Sequence, residues 1–242
     1  MRTYASTFAP FVAGDTAVIR WTTTRQASVA NGVKILGYGG AGVGKTSLCA
    51  TMPEPSVILS AEAGMLSLRR FDIAVAEIHT LSELSEVYRW LSTSQEARQI
   101  VSVSLDSVTE IGETLLTTLK ASNKDPRKAY GEMLDQMLPW VRAFRDLPGK
   151  HVYMSAKEEW AKDEASGIMR FQPMMPGQKL GPQLPYLFDE VFHVGVGRGP
   201  DGTKFHYLQT QADLQYVAKD RSGSLAQFEP MNLSQVIQKI GG

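Results

Sequence analysis

The run Gly39-Gly40-Ala41-Gly42-Val43-Gly44-Lys45-Thr46 constrains this chain more than any other feature. It follows the apolar run VKILGYG at 33–39, which reads as a buried strand ending in glycines. It precedes a stretch from Lys45 that can open a helix until Pro53 stops it. Strand, glycine-rich turn and helix in that order let successive backbone N–H groups turn inward around an oxyanion, with the positive end of the helix behind them. The spacing is a full G-x-x-x-x-G-K-[ST] match. The segment from Gly39 through Ser47, with Ala41 and Val43 between the glycines, therefore reads as a cradle for the phosphates of a nucleoside triphosphate. In that cradle Lys45 reaches the β- and γ-phosphates and the Thr46 hydroxyl ligates Mg²⁺.

Such a loop needs a sheet to stand on. SVILSA (56–61), DIAVAEI (72–78), QIVSVSLD (99–106) and KHVYMSA (150–156) read as further strands. Helical patterns lie between them. Thr80 and Glu83 form a capping box ahead of Leu81, Leu84, Val87, Tyr88 and Leu91. Ser107 and Glu110 cap a helix whose apolar face is Val108, Ile111, Leu115 and Leu119. Met133, Leu134, Met137, Val141 and Phe144 mark another. Strands alternating with helices predict an α/β fold with a mostly parallel sheet covered on both faces. Three strands then follow closely, at 189–197, 204–210 and 214–220, and predict antiparallel additions toward the C-terminus. Asn232 opens a last short helix carrying Val236, Ile237 and Ile240. Residues 1–31 are polar and weakly patterned and read as an N-terminal arm or linker. Phe8 and Phe11 would anchor that arm on a neighbouring copy, the alternative being N-terminal disorder. Residues 32–242 read as one domain.

Composition excludes several classes. Lys+Arg and Asp+Glu both number 25, so a nucleic-acid site must be a local patch. The single cysteine, Cys49, rules out a disulfide framework. His79, His151, His193 and His206 are too far apart in sequence for zinc spacing. No apolar run approaches the roughly 18 residues of a membrane span, and the N-terminus lacks an apolar segment behind a basic start. The expectation is a cytoplasmic protein that does not enter a membrane.

A magnesium site beside Thr46 needs a carboxylate at the end of a neighbouring apolar strand, and Asp106, closing IVSVSL, fits. One large class of P-loop ATPases places its base directly after that aspartate. Here Ser107 stands there, which disfavours the class. SVILSAEAG instead puts Glu62 at the end of the strand after the phosphate loop, where it can take a proton from an attacking water.

The phosphate loop, the Ala61-Glu62 pair after the next strand and the apolar strand ending in Asp106-Ser107 together resemble the RecA-type ATPase core, over roughly residues 33–225. With MPGQKLGPQLPYLFDEVFHV and the late AKDRSG, the chain is also similar to phage-type RecA-like nucleotide-binding proteins, including the Sak-four type of single-strand annealing ATPase. The resemblance implies a three-layer core, ATP and Mg²⁺ as ligands, DNA-stimulated hydrolysis and single-stranded DNA as partner. It also implies a homo-oligomeric filament or ring, a single-strand binding protein as a further partner, and the cytoplasm of a bacterial host. A polar sensor of the γ-phosphate would follow the HVYMSA strand, as Ser155 or Lys157; neither is the glutamine of RecA itself. Lys219 and Arg221 would form a finger reaching a neighbouring subunit's γ-phosphate.

Two loops would face DNA. The first carries Lys120, Lys124, Arg127 and Lys128 against one acid, Asp125; an ordinary solvated helix connection is the alternative. The second lies between Glu158 and Gln178, where glycines and prolines predict a mobile segment. It offers Lys162 and Arg170, outnumbered by acids, and Phe171, which could stack on a base or pack the domain. A recombination ATPase is the leading reading. A hexameric helicase or translocase of the same core, and a nucleotide-gated oligomerisation module with little turnover, are the alternatives.

Overall fold

The computed structural model describes residues 23–24, 31–62, 64–163 and 166–241. The anticipated arm at 1–31, with Phe8 and Phe11, lies outside them apart from residues 23, 24 and 31.

The strands are β1 (Lys34–Tyr38), β2 (Ser56–Ser60), β3 (Ala74–Glu77), β4 (Ser102–Asp106), β5 (His151–Ala156), β6 (Glu158–Lys162), β7 (Met169–Pro173), β8 (Glu190–Arg198), β9 (Lys204–Gln209), β10 (Lys219–Asp220) and β11 (Phe228–Pro230). The α-helices are α1 (Lys45–Cys49), α2 (Leu81–Thr93), α3 (Val108–Ser122), α4 (Pro126–Arg145), α5 (Leu184–Leu187) and α6 (Leu233–Gly241).

Nine strands form the main sheet in the order β11-β9-β8-β1-β5-β4-β2-β3, with β10 also on β8. The six strands from β8 to β3 run parallel. β9 and β10 pair antiparallel with β8, and β11 pairs antiparallel with β9. The fold is thus the mostly parallel α/β sheet with C-terminal antiparallel additions that the alternation of elements predicts. β1, β2 and β4 are buried along their whole length, which is why they read as continuous runs rather than alternating ones. Helices cover both faces. Leu84, Leu91, Ile111, Met137 and Phe144 pack on one face. Leu48, Met52, Leu233 and Val236 pack on the other. The capping box at Thr80 and Glu83 forms, and Ser107 accepts from the Glu110 N–H at the start of α3. Asn232 Oδ1 accepts from the Gln235 N–H and opens α6.

Two expectations fail. The segment from Glu158 to Gln178 contains a two-stranded hairpin, β6–β7, in which Trp160 pairs with Phe171. Its glycine sits at a tight return, where the Gly167 N–H meets the Asp163 carbonyl at 2.8 Å, and not in an open loop. The predicted strand at 214–220 shrinks to Lys219–Asp220. Asp213 Oδ1 accepts from both the Gln215 and Tyr216 N–H groups at 2.7 Å, and this side-chain turn takes the backbone out of a ladder.

Candidate nucleotide site

The parallel strands end on one edge of the sheet, and the loops leaving β1, β2, β4 and β5 bring the chemistry together there. Gly44 has φ +104°, a conformation that L side chains rarely adopt, and it delivers Lys45 as the first residue of α1. The Lys45 ammonium folds back onto the Gly39 and Gly40 carbonyls, each at 2.7 Å. Burial pushes this ammonium below the usual lysine range, opposed by the charges of Glu62, Asp106 and Glu158. The Tyr153 hydroxyl, from β5, donates to the Lys45 carbonyl at 3.1 Å. His206, from β9, places Nδ1 2.8 Å from the Val43 carbonyl, so the antiparallel extension also touches the loop.

Asp106 is buried at the end of β4. One carboxylate oxygen accepts from Thr46 Oγ1 at 2.7 Å, and the other accepts a short bond from Ser155 Oγ. These oxygens are hard donors of the kind Mg²⁺ prefers. Among the described residues no group of three or more His, Cys, Asp and Glu could hold a metal. Mg²⁺ at Thr46 and Asp106 would therefore need phosphate oxygens to complete its shell, as is usual for that ion. The donor set fits such a metal.

Glu62 stands beyond β2, and its Oε1 accepts from Ser107 Oγ at 2.6 Å. The Ser60 hydroxyl donates to the Glu62 backbone carbonyl at 2.6 Å, so both ends of the residue are held. Ser107, read from the sequence as a helix cap and as the lack of an adjacent base, also holds a carboxylate that stands beyond another strand. Its three-residue spacing from Glu110 gives the cap but no sign of the contact with Glu62.

The remaining residues separate. The Lys157 ammonium turns to α3, onto Glu110 at 2.9 Å and Glu113 at 2.6 Å, while Ser155 touches Asp106. Lys219 and Arg221 lie at the opposite edge of the sheet from the phosphate loop, since Asp220 pairs with Glu190, which pairs with Ile35 near the start of β1. The Lys219 ammonium is held by the Pro185 carbonyl at 2.6 Å and by the Phe188 carbonyl. Arg221 extends outward, its side chain 60% exposed, and pairs with Asp189 at 2.8 Å. Lys120 lies over the Tyr130 ring, 4.7 Å from its centre, and Lys124, Arg127 and Lys128 are exposed. Lys124 lies just before α4 and Arg127 and Lys128 in its first turn, while its far end leads to Leu147, whose carbonyl receives Lys34 at the edge where the parallel strands begin. A 20-residue helix spans about 30 Å, so the basic turn stands well away from that edge. In the hairpin, Arg170 pairs with Asp163 at 3.7 Å and Lys162 is exposed. Phe171 is sandwiched between Trp160, with centroids 4.6 Å apart, and Tyr216, at 5.3 Å. Its ring is committed to packing, and Trp160 is the half-exposed aromatic of the hairpin.

Sequence reasoning passed over Glu158 and His193. Glu158 opens β6 and lies against Gly40, and His193 on β8 stands 3.5 Å from it. A carboxylate two residues after β5 was the available signal for Glu158; nothing local marks His193.

A protein-family model described as "AAA domain" matches residues 31–222. No curated protein matches the chain. Among solved structures, a prototypical ATPase from the type III secretion system of pathogenic bacteria aligns with a TM-score of 0.48 at 14% identity, over 71% of this chain. The chain spans 55% of that protein's length.

Proposed function

The chain belongs to the AAA domain family, and from that premise we propose that this P-loop ATPase hydrolyses ATP as an oligomer on single-stranded DNA, in recombination or strand annealing. The observation that carries the reading is the pair of contacts at the strand ends, Thr46 with Asp106 and Ser107 with Glu62, beside the Lys45 loop. Two carboxylates are given different partners there. Asp106, tied to the Thr46 hydroxyl, is the group for Mg²⁺, which would neutralise phosphate charge when bound. Glu62, tied only to a hydroxyl, keeps one oxygen for water. In the proposed step Glu62 takes the proton from water as its oxygen attacks the γ-phosphorus. The bond to the bridging oxygen breaks, ADP leaves, and Lys45 holds the developing charge.

The DNA part rests on the exposed Lys124, Arg127 and Lys128 and on the resemblance to phage annealing ATPases, as does a cytoplasmic site of action. The trans finger narrows to Arg221, because Lys219 serves its own chain's carbonyls. Residues 32–242 constitute the ATPase domain in this reading, and 1–31 an arm for a neighbouring copy.

ATP hydrolysis measured alone, with single strands and with duplex tests it. Strong stimulation by single strands is expected. Neither stimulation nor binding of single strands at low salt would sink the DNA part, and displacement of a forked duplex strand would move the function to a translocase.

A further inference from the structure

A carboxylate pressed against a phosphate loop presents an electrostatic contradiction. A Cβ built on Gly40 would lie 3.0 Å from Glu158 Oε1, so the carboxyl touches the loop backbone beside the two carbonyls that hold the Lys45 ammonium. An ionised Glu158 would repel the terminal phosphate that Lys45 is there to attract. Its other oxygen, Oε2, is buried without a hydrogen-bond partner. His193 Nε2 stands 3.5 Å away, too far for a good hydrogen bond, and His193 Nδ1 is likewise buried and unpartnered on a side chain only 7% exposed. A buried carboxylate oxygen left without a donor disfavours the ionised form of Glu158, while the oxygen facing the loop is Oε1.

We propose that Glu158 contacts the terminal phosphate as a protonated carboxyl, with His193 behind it, so that a triphosphate binds with uptake of a proton and a diphosphate does not. This rests on the ATPase reading and adds a rule for distinguishing the two nucleotides. A neutral carboxyl donates one hydrogen bond to a phosphate oxygen, where an ionised one can only accept. The proton comes from solvent and returns to it once the terminal phosphate leaves. Burial already lifts the Glu158 carboxyl above the usual range, against the lowering pull of Lys45, and holds His193 down to about 4. The groups facing the carboxyl are Lys45 from the phosphate loop, Tyr38 from β1, His193 from β8 and Tyr216, whose ring stacks on His193 at 3.8 Å; Asp213 acts on His193. A phosphate dianion brought next to this group raises its pKa further. The complex then holds more protons than the free protein, and triphosphate affinity falls as pH rises between the two values.

Calorimetric titration of wild type at pH 7.5 with a non-hydrolysable Mg²⁺–ATP analogue and with Mg²⁺–ADP, in buffers of different ionisation enthalpy, reads the proton directly. That pH lies above the phosphate's own second ionisation near ~6. Uptake with the triphosphate and not with the diphosphate is expected. Glu158→Gln, which keeps a donor and the volume, should bind the triphosphate without uptake and with affinity flat in pH. Glu158→Ala should lose triphosphate-over-diphosphate preference by about tenfold or more, the worth of a charged hydrogen bond. No uptake in wild type, equal uptake with both nucleotides, or uptake that persists in Glu158→Gln and so belongs to Lys45, would each overturn the proposal while leaving the ATPase reading intact. Failure of both nucleotides to bind would instead refute the ATPase reading and this inference together.

Discussion

The Ser107 hydroxyl accepts from the Glu110 N–H at 3.2 Å and donates to Glu62 at 2.6 Å, so one side chain both caps α3 and aims the proposed base. Ser107→Ala should lose roughly 1 kcal/mol of cap stability, seen as a melting temperature lower by about 2–4 °C. It should also slow hydrolysis by about tenfold to a hundredfold with nucleotide binding kept, since a slightly misplaced base costs rate rather than affinity. A drop in affinity with unchanged turnover would assign Ser107 a binding role instead. At this scale the phosphate loop, Asp106 and Glu62 were legible because each is written into a short local pattern. The partners of Lys219 were not: its carbonyl acceptors lie 31 and 34 residues upstream, and only folding brings them together.

Among the elements, β10 is a two-residue strand whose Asp220 faces Glu190 of β8. Burial, then the Asp220 charge, pushes the Glu190 carboxyl up to about 8, from an unfolded value near 4.5. Between those values the folded chain binds the proton and the unfolded chain does not, so the Glu190 contribution to stability is full below ~4.5 and declines as pH rises toward ~8. Melting curves of Glu190→Gln should therefore sit above wild type by more at pH 8 than at pH 5; a pH-independent offset would contradict this. The β6–β7 hairpin carries the other element-scale prediction. With its ring half-buried between Trp160 and Tyr216, Phe171→Ala should lower stability by about 1–3 kcal/mol. A loss of DNA affinity without a loss of stability would return Phe171 to a stacking role. The parallel strands were readable as continuous apolar runs. The hairpin was not, because Glu158-Glu159-Trp160-Ala161-Lys162 is mostly charged and Gly167 and Pro173 suggest a loop.

For the whole molecule, the sheet holds the phosphate loop and Arg221 apart by about its own height. The phosphate loop occupies the edge where the parallel strands end, and Arg221 the edge where they begin. A single copy cannot bring Arg221 to its own Lys45, so a finger role requires a second copy stacked edge to edge. Arg221→Ala should then leave ATP binding intact and lower oligomer-dependent hydrolysis by about a thousandfold. Unchanged turnover per protomer would remove the finger. The proposed DNA contact would have to be a local cluster, because the net charge of the chain is zero. Replacing Lys124, Arg127 and Lys128 together by alanine should weaken single-strand binding and shallow its log–log salt slope by about 2, at roughly 0.7 per phosphate contact.

If Glu62 is the base for ATP hydrolysis, turnover by Glu62→Gln beside wild type, with and without single-stranded DNA and with nucleotide binding followed in parallel, reads that role. Expected is binding within a few-fold of wild type and hydrolysis reduced by at least about a hundredfold in both conditions. Hydrolysis by Glu62→Gln close to the wild-type rate would contradict it and move the base to another residue.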